Sequence, residues 1–228
     1  MAKKRNNKKK RRSKHPSSRV PAGRQILAGC YIDFEGFAGN EHRTSPPPVL
    51  IGMYRGGEFK QIVFTACYRW AAEDPGVDHD VSLRLDRDAF IEELVDSAGM
   101  NKPLFAYSEY ELRVIEKCVG HRITRRYRNV RSIAKTWLNK QAGRYPTPTT
   151  FALVDVAESM GIALNLKLPE GGVTSRLREV RDFSSSSKRW SSAPAKIRNK
   201  WREVLEHNRS DVTAIREMMM HMRQIDDE

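Results

Sequence analysis

Three short segments of this 228-residue chain hold acids at spacings that could do chemistry together. The first is Tyr31-Ile32-Asp33-Phe34-Glu35-Gly36. On an extended strand, Asp33 and Glu35 project from one face, while Ile32 and Phe34 point the other way into a core. Two carboxylates about 4 Å apart repel by roughly 4 kcal/mol at an effective dielectric of 20. A divalent cation reverses that sign, and all-oxygen ligation suits Mg²⁺ or Mn²⁺. The plain alternative is an exposed D-x-E on an edge strand.

The second segment, Phe105-Ala106-Tyr107-Ser108-Glu109-Tyr110-Glu111, is a strand end running into a helix start. Ser108-x-x-Glu111 has capping-box spacing, which by itself explains Glu111 structurally. The same position, in the first helical turn, faces the acids at the end of the first strand, with Glu109 as the alternative donor. The third segment is Glu206-His207-Asn208-Arg209-Ser210-Asp211-Val212. His207 and Asp211, four apart, share one helix face, as an ordinary surface pair would. An imidazole one turn from a carboxylate can also take a proton from an attacking water.

The elements that must position these residues follow from local patterning. Ile26 to Phe34 reads as the first strand. VLIGMYR and EFKQIVF flank Gly56-Gly57, a two-residue turn suited to a tight hairpin. Pro46-Pro47-Pro48 belongs to the connection before it, and residues 69–86 read as a loop. Asp86 or Asp88 caps a helix to about Ala98, with Phe90, Ile91, Leu94 and Val95 on one face. A strand is expected over Pro103–Tyr107, then a helix from Ser108 through Val119. Further helices are expected over 130–142 and 150–160. Residues 165–196 show no clear period and read as a mobile excursion. A last helix runs from Ala195 or Lys196 to Met222, and His207–Ser210 is where a break would fall. Strands first, then alternating helix and strand, indicate a mixed sheet with helices packed on it.

Taken in order, D-x-E, aromatic-x-x-aromatic-E and H-N-x-x-D-V, the segments resemble the DEDD 3′–5′ exonuclease superfamily on the ribonuclease H-like fold. YIDFEG, AYSEYE, FALVDVAESMGI and HNRSDVTAIREM are most similar to its predicted ribonuclease H-like exonuclease branch associated with RecB-type nucleases. The resemblance spans about residues 27–222. It implies an α/β domain with a ribonuclease H-like mixed central sheet flanked by helices. It also implies that Asp33, Glu35, Glu111 and Asp211 hold two Mg²⁺ or Mn²⁺ ions. Two departures stand out. The second-motif acid is commonly Asp and here is Glu111. The group one turn before the last acid is often Tyr, and the His-bearing members place their His five residues ahead; here it is His207, assigned as general base.

Charge divides the chain. Lys and Arg number 41 against 28 acids, a net charge of +13, yet residues 1–24 hold 11 of the basic residues and no acid. The remainder carries 30 against 28, or +2. The stretch 1–24 has almost no apolar residues and is expected to be a disordered basic tail on a domain spanning 25–228. It reads as a tether to phosphate backbones or ribosomal RNA, or as a solubilising tail or localisation signal. RITRRYRNVR, with five arginines (Arg122, Arg125, Arg126, Arg128 and Arg131) around Tyr127, reads as a phosphate-contacting patch with a base-stacking ring, or as a solvated face. Lys188, Arg189 and Trp190 read as a basic-aromatic loop over a nuclease cleft, or equally as a loop with a partly buried Trp. Cys30, Cys67 and Cys118 are odd in number and far apart, which argues against disulfides and structural zinc and for a reducing, cytoplasmic setting, nuclear in a nucleated cell. Mean hydropathy of −0.64 and short apolar runs exclude a membrane span.

These readings converge on a metal-dependent nuclease, a 3′–5′ exonuclease acting on single-stranded DNA or RNA ends. The competing reading is a non-catalytic nucleic-acid- or ribosome-binding module on the same fold.

Overall fold

The computed structural model describes residues 18–37, 47–73, 81–97, 102–164, 168–169, 172–186 and 190–227. Residues 1–17 of the basic tail, and Lys188 and Arg189, lie outside the described residues. The chain enters through a short helix, α1 (Gly23–Ala28), where the sequence suggested tail and strand, and strand β1 begins only at Cys30 (Cys30–Glu35). The buried Tyr31 hydroxyl donates to Ile26 O at 2.8 Å, which ties this turn of helix to the strand it feeds.

The hairpin forms where the two glycines require it. β2 (Leu50–Arg55) and β3 (Glu58–Val63) pair antiparallel around Gly56 and Gly57, whose φ angles are +62° and +92°. Both lie in the left-handed region that a two-residue turn demands and that a Cβ disfavours. The stretch expected to be loop over 69–86 contains helix α2 (Arg69–Ala72) and edge strand β4 (Val81–Leu83). Helix α3 (Arg87–Ser97) buries Phe90, Ile91, Leu94 and Val95 as its periodicity indicated. β5 (Leu104–Ala106), α4 (Glu109–Val119), β6 (Tyr127–Asn129), α5 (Val130–Lys140) and α6 (Leu153–Ser159) follow.

Residues 165–196 correct the expectation of a structureless excursion, because α7 (Gly172–Ser185) occupies their middle. Leu177 and Val180 are buried, Val173 and Phe183 are packed alongside, and the other faces carry mostly Arg, Asp, Glu and Ser. Arg176 pairs with Glu203 and Glu179 with Lys200, joining α7 to the last helix, α8 (Ala195–Asp227). No Pro or Gly interrupts α8, and it runs 33 residues without the break expected near His207–Ser210. Asn and Ser are weak helix formers because their side chains compete for local backbone groups. Here the Asn208 side chain is instead engaged by the sheet.

The six strands are ordered β4-β3-β2-β1-β5-β6. β2 is antiparallel to both neighbours, and the other pairings are parallel, so only β2 is reversed. The fold is thus α/β with a mixed sheet flanked by helices. One face, carrying Ile32 and Phe34, packs on α3 and α4. The opposite face carries Tyr31 and Phe105, stacked at 4.8 Å, under α5, α6 and the C-terminal half of α8. Met218, Met219 and Met222 lie in that core. A third cluster joins Leu50 and Val63 to Tyr68, α7 and Trp201 at the other end of α8. The middle of α8 therefore crosses β1 and β2 on the face to which Asp33 and Glu35 project. Among the described residues, no helix is long and apolar enough to cross a membrane.

Candidate metal-binding carboxylate site

Asp33 and Glu35 stand on the same face of β1, half-buried, as their period-two spacing requires. Asp33 is in register with Gly52 on β2, and Gly52 with Gln61 on β3, so the three form one row across the sheet. Asn208 of α8 lies over that row, fully buried. Its Nδ2 donates to Asp33 Oδ2 at 2.9 Å and to Asp33 O at 3.2 Å. Its Oδ1 accepts from Gln61 Nε2 at 2.9 Å, and that nitrogen also donates to Leu205 O. A Cβ at position 52 would stand 2.1 Å from Asn208 Oδ1, so only glycine lets α8 come this close. The sequence reading gave Asn208, Gln61 and Gly52 no role. The only signal was a Gly inside a strand pattern, which marks close backbone approach.

One residue before and three after Asn208, His207 and Asp211 face the same row. His207 Nδ1 lies 3.8 Å from Asp211 Oδ1, and each side chain is about 20% exposed. One ligand atom from each of Glu35, His207 and Asp211 lies within 4.8 Å of the others. Glu111 arrives from the far side, on the first turn of α4. It is 4% exposed, and Ser108 O–H and N–H donate to its Oε2 at 2.8 and 3.2 Å. The capping box expected from the sequence is therefore formed. Glu109, the alternative acid, is exposed to solvent.

The charges of these residues act on one another. Burial raises the Asp33 carboxyl pKa, opposed by the Asn208 hydrogen bond, by His207 and by a hydrogen bond with Glu35. Glu35 is pushed well above the usual carboxylate range by burial, then by the charges of Asp33 and Asp211, by that same hydrogen bond, in which protonated Glu35 donates, and by Glu111. Burial and Asp33 push Glu111 up to about 7 against its cap, and burial and Asp33 raise Asp211 well above its ordinary value. Burial first, and then the Asp33 charge, raise Glu35, Glu111 and Asp211, and such a cluster suits a divalent cation, which replaces their protons. Asp33, Glu35, Glu111 and Asp211 offer hard oxygen ligands, and His207 adds a nitrogen acceptable to Mn²⁺.

The basic and aromatic candidates fare differently. Tyr127 is 2% exposed in β6 and its hydroxyl donates to Ser108 O, so it is not a surface ring for a base. It supports the turn that carries Glu111. Arg126 donates to Lys102 O and Val95 O, Arg128 to Arg125 O and Tyr127 O, and Arg122 to Val119 O with Asp96 at 3.9 Å. Arg125 is exposed. The backbone register also separates this run from the acids. Tyr127 pairs with Leu104 and Leu104 with Cys30, five residues and roughly 17 Å along β1 from Glu35. Arg122 and Arg126 hold the opposite end of the sheet, whereas Tyr127 reaches Ser108 at the acids' end. Trp190 is 7% exposed and meets Phe183 edge-on at 6.2 Å, so it is core and no cover for a cleft.

No protein-family model, no curated protein and no solved structure matches the chain.

Proposed function

We propose that this protein is a metal-dependent nuclease of the ribonuclease H-like type, hydrolysing phosphodiester bonds at single-stranded DNA or RNA ends in a reducing, cytoplasmic setting. The observation that carries the reading is the convergence of Glu35 from β1 with His207 and Asp211 from α8 within 4.8 Å, beside Asp33, which is hydrogen-bonded to Glu35, and with Glu111 from α4 near enough for its charge to act on Glu35 and Asp33. The mixed sheet with its single reversed strand supports the same reading.

Asp33, Glu35, Glu111 and Asp211 would hold two Mg²⁺ or Mn²⁺ ions. When bound, such ions supply Lewis-acid stabilisation of the attacking and leaving oxygens of an in-line displacement. Asn208 fixes the Asp33 carboxylate, since its amide binds both the side chain and the backbone carbonyl. His207, beside Asp211, accepts the proton of the attacking water and must be neutral to do so. The basic tail holds the polyanion near the domain.

A second reading, a non-catalytic nucleic-acid- or ribosome-binding module, is favoured by one observation. Glu111 Oε2 is already engaged by Ser108. The deciding experiment is cleavage of end-labelled single strands, DNA and RNA, with Mg²⁺ or Mn²⁺ and with excess EDTA. Divalent-dependent shortening from the 3′ end, abolished in Asp33→Asn, supports the nuclease. Binding without cleavage by the wild-type chain in either metal supports the module, and wild-type cleavage that survives EDTA excludes the two-ion reading.

A further inference from the structure

Beside the carboxylates, a cavity of about 370 Å³ opens between the first turns of α4 and α5. That lies within the ~300–1,000 Å³ typical of small-ligand sites. Arg113 reaches it from α4, and Arg131 and Lys135 from α5, with Glu109 the one acid on its wall. Outside the tail the chain carries a net charge of only +2, so three cations against one acid in a single concavity is a local excess. All three cations are exposed, and among the described residues none of them joins an ion pair. Arg113 Nε donates only to Glu109 O of its own helix, at 3.3 Å. Lys135 Nζ lies 5.1 Å from the centre of the Phe151 ring, which lines the same cavity.

Two features join the cavity to the acids. Ser108 and Tyr110 line it, and the Ser108 hydroxyl also donates to Glu111 Oε2. The Tyr110 hydroxyl is close to the end of β1, 3.7 Å from where a Cβ on Gly36 would stand. The helices are 11 residues each and begin at the cavity, so their dipoles add positive potential to that of the side chains.

We propose that this cavity is the strand-binding subsite next to the carboxylate centre: Arg113, Arg131 and Lys135 hold successive phosphates of a single-stranded polynucleotide, and Phe151 offers its ring to a base. The assignment rests on the nuclease reading for the direction in which the strand runs, not for the binding itself. Cations gathered beside an aromatic ring are what sequence-tolerant single-strand binding uses. Of the arginine run at 122–131, which the sequence suggested for this task, Arg122, Arg126 and Arg128 bind backbone carbonyls, and Arg131 lines the cavity. The cavity joins Arg131 to Arg113 and Lys135 from outside that run.

The test uses the full chain, a labelled ten-nucleotide single strand and EDTA, so that nothing is cleaved. Affinity is measured against salt for wild type, for Arg113→Gln/Arg131→Gln/Lys135→Gln together, and for Lys135→Glu alone. Each lost phosphate contact lowers the log–log slope by about 0.7 for a single strand, so the triple variant should lose about two units. Melting temperature should not move, because all three side chains are exposed. With Mn²⁺, KM for a ten-mer should rise at least tenfold and kcat should stay within about threefold. An unchanged slope and unchanged KM in the triple variant would overturn the subsite. A nucleoside monophosphate that competes as well as the ten-mer would also overturn it, in favour of a mononucleotide pocket. If wild type cleaves no strand while the slope still falls by two units, the nuclease reading fails and the subsite stands.

Discussion

At the residue scale, burial and then mutual repulsion hold the acids of the site above their ordinary pKa values, a penalty that a cation would relieve. Glu35, Glu111 and Asp211 have pKa values raised in the folded protein, Glu111 to about 7, against about 4 for the unfolded chain. Between those values the native state binds more protons than the unfolded state, so stability is fully present below about pH 4 and is lost as pH rises through the folded pKa values. In EDTA the melting temperature should therefore fall from pH 5 to pH 8, each excess proton contributing about 1.4 kcal/mol per pH unit. Mn²⁺ should flatten the fall, and a metal-free profile that is already flat would mean that the folded protein does not raise the pKa values of these acids. Asp33→Asn removes one of the charges. It should abolish divalent-dependent cleavage while raising the metal-free melting temperature by about 2–4 °C per kcal/mol relieved. His207→Ala should lower turnover about 10²–10⁴-fold with little change in binding. The comparison belongs at saturating Mn²⁺, where a variant within a few-fold of wild type would assign the proton to another group.

At the element scale, the contact of β2 with α8 sets the position of Asp33. Gly52 leaves room for Asn208, and Asn208 connects Asp33 to Gln61. Neither partner of the Gly52→Ala clash can move freely, since one is strand backbone and the other a buried amide bonded to both sides. The variant should lose about 1–3 kcal/mol of stability, as overpacked cores do. Activity should fall further than stability explains, because Asp33 loses its orientation. Urea midpoints give the stability, and Gly52→Ala/Asn208→Ala separates the two effects. The double variant relieves the clash but still leaves Asp33 unheld, so it should recover stability and not turnover. A Gly52→Ala variant within 0.5 kcal/mol of wild type would show that α8 sits farther from the sheet.

At the scale of the whole molecule, charge and fold are separable. Residues 1–17 hold nine of the basic residues and no acid. Val20 packs against the core and Gly23 begins α1, so the boundary for removing the tail falls before Ser18, not after Arg24. Removing 1–17 should weaken binding to any polynucleotide and leave the carboxylate site unchanged. If about six of those cations meet phosphates, the log–log salt slope falls by about four to five units. Identical slopes for the two chains would mean that the tail does not touch the nucleic acid. Cleavage of saturating substrate should be the same in both.

What the sequence determined by itself is local. Period two places Asp33 and Glu35 on one face, Gly56-Gly57 specifies the hairpin, and Ser108 with Glu111 specifies the start of α4. Each depends on groups a few residues apart, for which backbone geometry alone is decisive. The rest came from contacts across long stretches of chain. Asn208 meets Asp33 across 175 residues and Gln61 across 147. Neither pairing has a periodicity to reveal it, and the same contacts engage the side chain that would otherwise weaken the helix near Ser210. The stripe of α7, Val173, Leu177, Val180 and Phe183, is diluted by Arg, Ser and Thr, and α8 beside it gives that face its partner. The arginines at 122–128 look alike on the page whether they bind phosphate or cap carbonyls. Only the tertiary structure decides, by showing which carbonyls need a donor and which cations, on α4 and α5, are left facing the site.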